Sequence, residues 1–366
     1  MGVSLEEILG LPRLLGLIQE STSGLPMEEV YSARLPGLMN ISRDVIGNSG
    51  QATLTKGQRK VPKLIKYNSP PIGAPLETIA VRDWVLLAFS ETITIDPITM
   101  MNLRAYESFE FQQLGAEEIG RQASLFKQKF KNIELASLTQ ALVLGKNYFD
   151  AAGNLLPSSS GATQTIDFGV SANHQNQLNG IIDIPWSNPN ANIPYQIQNI
   201  KKQAAKDTGY IPQVALYGAN VPSWIMQNQY VQAYQARNQA FRDTVVMDNA
   251  IPDGYMDIAK WVNGSTFFYE DANGTNQSLV PDDMVIFFPE PNRGWYEWWK
   301  GSMLLPTTLN ILPTEAGLQG NTRMVYGMYL YAYISMAPIN YSLVAGTTFF
   351  PGIKNPDVLF QADVNF

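Results

Sequence analysis

Few residues in this 366-residue chain are of a type and spacing that could do covalent chemistry. There is no cysteine, which excludes a thiolate nucleophile, a disulfide and any Cys-based metal or iron–sulfur site. The one histidine, His174, stands in the polar run Ser171-Ala-Asn-His-Gln-Asn176, which reads as a solvated loop rather than a general base beside a nucleophile. No Gly-x-Ser-x-Gly elbow, Walker loop, Gly-x-Gly-x-x-Gly fingerprint or His-Glu-x-x-His helix occurs. Oxygen ligands are equally sparse. Asp282-Asp283 is the one adjacent Asp pair, and neighbours on a strand point to opposite faces. Asp271, Asn273 and Thr275 are spaced like the start of a calcium loop, but Asp282 stands where the closing glutamate belongs, so a turn around Asn273-Gly274 is expected. These readings predict no catalytic residue, no metal and no cofactor.

Two clusters remain. The run from Phe287 to Trp299 holds Trp295, Tyr296, Trp298 and Trp299 with Glu290 and Glu297 among them. Tryptophans stack on sugar rings and two carboxylates serve a glycosidase, so a secreted carbohydrate-binding protein or glycoside hydrolase is the alternative function. The same aromatics fill cores and subunit interfaces, and nothing here orients a carboxylate pair, so core filling is the preferred reading. The second cluster is the stretch from Val45 to Leu76, which has no Asp or Glu while Lys56, Arg59, Lys60, Lys63 and Lys66 give it +5. The whole chain is −7, leaving −12 elsewhere. Such a stretch could neutralise DNA phosphates, but no aromatic interleaves its charges before Tyr67 and the chain is acidic overall. Docking onto the acidic body of another copy fits better, with charge setting register and partner choice. Charged residues are 16% of the chain, against about a quarter in ordinary soluble domains, which also points to a surface covered by partners.

The elements that carry these clusters can be read from punctuation and periodicity. Residues 1–44 hold short apolar runs broken by Pro12, Pro26 and Pro36, and read as an arm with one or two short helices outside any core. Glu6 and Glu7 precede any basic residue, unlike a secretory signal, and no stretch approaches the ~18 apolar residues that span a bilayer. Gly47, Gly50 and Gly57, then Lys63-Leu64-Ile65-Lys66-Tyr67, then Pro70-Pro71 predict a long two-stranded loop. Between Pro97 and Pro157 there is no proline, and Ile119, Ala123, Phe126, Phe130 and Ile133 recur at helical spacing, predicting a long helix over 98–146. Strand–turn–strand follows over 148–167, a helix from Pro194 to Gly209 and a strand over 214–217. A second helix is expected from Val221 to about Asn238, capped by Asn220, with two strands around Asn273-Gly274 after it. A tyrosine-rich strand region over 324–338 and an irregular tail from Pro351 close the chain. Helices and strands without βαβ alternation make the class α+β.

Several segments, in order, match a known pattern. Val30-Tyr-Ser-Ala-Arg-Leu-Pro-Gly-Leu-Met-Asn40 leads into the loop, and Leu142-Val-Leu-Gly-Lys146 and Ile166-Asp-Phe-Gly169 lead from helix to sheet. Trp186, Pro194 and Tyr217-Gly-Ala-Asn220 follow, then Val280-Pro-Asp-Asp283, Ala337-Pro338 and Asn355-Pro-Asp357. This series resembles the phage major capsid protein E family, the lambda-type shell proteins with the Hong Kong 97-type capsid fold. The resemblance implies an N-terminal arm (1–44), an extended β loop (45–76), a peripheral domain (77–189) with a long spine helix (98–146), an axial domain (190–322), and C-terminal strands (323–366) returning to the peripheral domain. It implies a non-enzymatic major capsid protein of a tailed bacteriophage, assembling into hexamers and pentamers of an icosahedral head. That head encloses double-stranded DNA without sequence-specific binding. Portal, scaffolding and decoration proteins are the implied partners, with no membrane; assembly is in the host cytoplasm and the product is the virion. Taken with the charge pattern, Lys56, Arg59, Lys60, Lys63 and Lys66 are expected against Glu107, Glu110, Glu117 and Glu118 of a neighbour. Exposed ion pairs contribute only about 0–1 kcal/mol each, so Leu64, Ile65 and Tyr67 must supply the burial.

Overall fold

The computed structural model describes residues 11–20, 26–54, 80–95, 109–237, 251–271, 273–306, 322–336 and 339–366. Its first helices are α1 (Leu11–Glu20), α2 (Pro26–Arg34) and α3 (Gly37–Asn40). Pro12, Pro26 and Pro36 lie in or just before the first turn of these helices, where a missing N–H costs nothing, so they start helices rather than break them. In α2, Glu28 and Glu29 sit in the first turn and Arg34 in the last, which suits the helix dipole. Leu14 and Ile18 are buried in one core, and Met27, Tyr31, Leu35 and Leu38 in a larger one. Leu15 joins Leu305 and Tyr329 in a small third cluster, so the segment expected to lie outside any core supplies part of three.

Four strands follow: β1 (Ser42–Val45), β2 (Ser49–Leu54), β3 (Ala80–Val85) and β4 (Leu87–Ile95). Then comes α4 (Phe109–Leu144), 36 residues and about 54 Å long at 1.5 Å per residue. The predicted helix began at 98; residues 96–108 lie outside those described. Gly145 ends α4 in the left-handed region (φ 66°), its N–H bonded to the Ala141 carbonyl at 3.1 Å. A small sheet of β5 (Lys146–Phe149), β6 (Leu155–Leu156) and β7 (Gln164–Asp167) is the predicted strand–turn–strand unit.

The remaining elements are β8 (Gln175–Asn176), α5 (Ile193–Thr208), β9 (Val214–Tyr217), α6 (Val221–Gln227), α7 (Gln229–Arg237) and β10 (Lys260–Asn263). After them come the hairpin β11 (Phe268–Glu270) and β12 (Asn276–Ser278), then β13 (Met284–Phe288) and β14 (Tyr296–Pro306). The chain closes with β15 (Thr322–Tyr326), β16 (Met328–Met336), β17 (Ile339–Ile353) and β18 (Phe360–Asp363). β17 organises the larger sheet. Along one side it pairs with β16 and then β14, and along the other with β4; β14 in turn pairs with β1 and β15. The predicted apolar stripe of α4, Ile119, Ala123, Phe126 and Phe130, packs with Leu330 and Ala332 of β16 and Leu343 and Ala345 of β17.

The second sheet runs β10-β9-β13-β18-β8 and is covered on both faces. Its alternating side chains feed two cores: Val214, Leu216, Ile286 and Phe288 enter the larger one, while Ala215, Tyr217, Val285 and Phe287 enter another beneath α5 and α6.

Two local expectations need correction. The helix predicted from Val221 to about Asn238 breaks at Asn228, whose backbone is extended. Buried Asn228 donates from Nδ2 to the Ala191 carbonyl at 2.6 Å, and its Oδ1 accepts from the Tyr230 and Val231 amides, so it caps α7 instead of continuing α6. Asn220 makes no side-chain cap and donates instead to Asp283 at 2.7 Å. The tail from Pro351 is not irregular either: β17 extends to Ile353, and β18 lies between β13 and β8 with Leu359, Phe360 and Val364 fully buried.

Candidate functional site

β2 and β3 form a separate two-stranded ladder, from Ser49 opposite Val85 to Leu54 opposite Ala80. The basic residues Lys56, Arg59, Lys60, Lys63 and Lys66, with Leu64, Ile65 and Tyr67, fall between those strands and outside the described residues. Because the ladder brings Leu54 beside Ala80, residues 55–79 leave and return at one end of a ribbon.

Bulk on one side and its absence on the other hold the ribbon's base. Gly50 lies over the Trp299 ring so closely that a Cβ there would stand 2.7 Å from a ring carbon. Across the ladder, Trp84 packs against Phe168 and Phe350, with ring centroids 5.7 and 5.2 Å apart, and Phe350 also meets Trp299 at 5.7 Å. Gly47, at φ 91°, turns the chain into the ribbon, and its N–H bonds Ser302 Oγ at 2.9 Å. The stem is thus fixed to the larger sheet at its root. Beside the root Val85 and Ile46 are 68% and 74% exposed.

The aromatic run explains that root. Trp295, Tyr296, Trp298 and Trp299 are all at most 3% exposed, and Trp298 stacks on Phe349 at 5.1 Å. Glu297 accepts from Trp299 Nε1 and pairs with Lys354 at 3.0 Å, while Glu290 pairs with Lys260 at 3.5 Å. None of these three tryptophans has a face open to a sugar, and the run fills the core as preferred above. Tyr296 has a buried hydroxyl without a hydrogen-bond partner; burial, then Tyr31 and Glu134 nearby, pushes its pKa well above the ordinary tyrosine value.

The predicted acceptors divide. Glu107 lies outside the described residues, and Glu110, Glu117 and Glu118 fall on the first turns of α4. At 100° per residue these three positions span about 100° of arc, centred about 160° from the buried stripe that begins at Ile119.

Other candidates for chemistry resolve into structure. His174 is buried rather than solvated: its Nε2 meets Asp207 Oδ2 at 3.0 Å and its ring stacks on Phe360 at 4.1 Å. The polar run hid this because the partners lie on α5 and β18. Burial raises the Asp207 pKa, and hydrogen bonds from His174 and Gln203 outweigh it, holding the carboxyl below the usual range. Asp271 closes the β11–β12 turn, accepting from the Asn273 and Thr275 amides and from Gln277. Asp283 ties Asn220 and Asn365 to β13's start. Among the described residues no group of three His, Asp or Glu is placed to hold a metal, and no helix is long and apolar enough to cross a membrane.

Comparison with known proteins bears on the whole architecture. The model of the family described as phage major capsid protein E matches residues 53–299, well over half of the chain. No curated protein matches. Among solved structures, a protein assigned as the capsid protein of an Escherichia coli CFT073 prophage superposes with a TM-score of 0.51 at 14% identity, covering 97% of this chain and 99% of the other. A phage-related protein from Bordetella bronchiseptica RB50 gives 0.45 at 10% identity, covering 97% of each chain.

Proposed function

The chain belongs to the phage major capsid protein E family, and from that premise we propose how its parts make a shell. It is a structural, non-enzymatic protein with the Hong Kong 97-type fold, and its work is self-association into a phage capsid. In this reading subunits form hexamers and pentamers, and these close an icosahedral head that encloses double-stranded DNA without sequence-specific binding. Assembly takes place in the host cytoplasm, with portal, scaffolding and decoration proteins as partners.

One observation carries the contact proposed between subunits. A ribbon rooted on Trp299 leads into an acid-free stretch of +5, on a chain that is otherwise −12. The stretch 45–76 then crosses to a neighbour, where Lys56, Arg59, Lys60, Lys63 and Lys66 face Glu107, Glu110, Glu117 and Glu118 of the spine helix (98–146). Leu64, Ile65 and Tyr67 bury beside them. The arm is 1–44, the peripheral domain 77–189 and the axial domain 190–322, with 323–366 returning. Single contacts can be weak because each subunit in a lattice makes several at once. Expression of the full chain, alone and with a scaffolding protein, is expected to yield particles of megadalton mass by sedimentation velocity. A chain that stays monomeric or a small oligomer under both conditions would contradict the reading.

A further inference from the structure

β4 pairs with β17 along one side, and among the described residues no strand pairs with its other side. On an antiparallel edge strand, alternate residues turn their N–H and C=O outward, a template for a further strand. Two adjoining hollows of about 650 and 730 Å³ flank this edge from Leu87 to Glu91 and share Phe89, Ser90, Ala152 and Gly153. Glu91, Glu270 and Asp271 line one, and Asp167 the other. Lys129 bonds Glu91 at 2.8 Å and Lys146 bonds Asp167 at 3.2 Å, so with Glu270 and Asp271 the groove keeps a negative balance. Asp271 is held below its usual pKa by hydrogen bonds from the Thr275 amide and Gln277, and stays charged at neutral pH.

We propose that this groove receives the basic stretch 55–79 of a second copy as an added β-strand. The proposal rests on the reading that the stretch crosses to a neighbour, and it names where the crossing ends. Between Pro62 and Pro70 the run Lys63-Leu64-Ile65-Lys66-Tyr67-Asn68-Ser69 has no proline, so each residue can donate a ladder bond. Those seven residues extend about 23 Å at 3.3 Å each, within the roughly 30 Å of the nine-residue β4. Backbone pairing would hold the strand; in this placement Lys63 and Lys66 meet the groove's carboxylates, and the spine-helix glutamates are left to Lys56, Arg59 and Lys60. The occupant comes from another chain because a copy's own stretch leaves from the Leu54–Ala80 end of the ribbon, whereas β3 enters β4 from the opposite end through Leu86.

The absence of native cysteine gives a direct test. One chain carries Ile65→Cys alone; its partner carries Ser90→Cys, Thr92→Cys or Thr94→Cys, one at a time, all three positions being exposed. The two are co-assembled and oxidised, and dimers are counted on a non-reducing gel. At least one pairing is expected to give a dimer several-fold above either chain alone. A parallel pairing of Ile65→Cys with Gln113→Cys on α4 probes the neighbour contact more widely. A dimer with Gln113→Cys but with none of the three β4 positions overturns the groove and leaves the crossing intact. No dimer in any pairing overturns both.

Discussion

A chain ended after Lys354 is expected to be recovered unfolded or insoluble. β18 is the fourth of five strands in its sheet, so its loss would strip β13 of a partner and detach β8. Leu359, Phe360 and Val364 are each 0% exposed, and burying such side chains stabilises by about 1.5–3 kcal/mol apiece, roughly 5–9 kcal/mol together. Two links go with them: Gln361 Nε2 to the Leu142 carbonyl at the end of α4, and the Trp186 amide to the Val364 carbonyl. A whole domain is stable by only about 5–15 kcal/mol, so the deletion consumes most of it. Soluble yield and far-ultraviolet circular dichroism of the truncated chain, beside one lacking Phe366 alone, give the readout. A soluble truncated chain with full helical signal would show that the second sheet stands without its C-terminal strand.

Trp299→Ala is expected to be the most damaging single substitution among the aromatic residues of the ribbon's root. The side chain is 0% exposed and touches Gly50, Gly352 and Phe350, two of which are glycines that cannot swell to fill the space. Deleting a buried tryptophan ring typically costs about 3–5 kcal/mol through lost transfer energy and the cavity left behind. Urea unfolding of unassembled chains, with an unchanged slope, measures it. Trp299→Phe should lose clearly less. Beyond stability, the cavity lies under the ribbon, so at matched folded concentration Trp299→Ala should also form fewer particles. A loss below about 1 kcal/mol would mean that the glycine–tryptophan contact does not anchor the stem.

The parts of this fold legible in the sequence were those governed by local periodicity. The stripe from Ile119 to Phe130 named the buried face of α4, Pro194 and Gly209 bracketed α5, and Asn273-Gly274 marked its hairpin. What escaped was set by partners far along the chain. β18 is a four-residue strand preceded by prolines at 351 and 356, and only the distant strands β13 and β8 on its two sides make it central. Asn228 looks like helix interior until the carbonyls of Pro189 and Ala191 are beside it. His174 reads as polar surface until Phe360 covers its ring. The basic stretch was legible as charge, and its root was not. Gly50 read as loop punctuation, whereas its lack of a side chain lets Trp299 approach.

The central claim is that residues 45–76 join subunits, with charge choosing the partner and burial fastening it. The most direct measurement is negative-stain microscopy of a chain in which Lys56, Arg59, Lys60, Lys63 and Lys66 are all serine. Those substitutions leave the described cores untouched, so folded, soluble capsomers or monomers with few closed shells are expected. Closed shells at the yield and size of the unaltered chain would contradict the account.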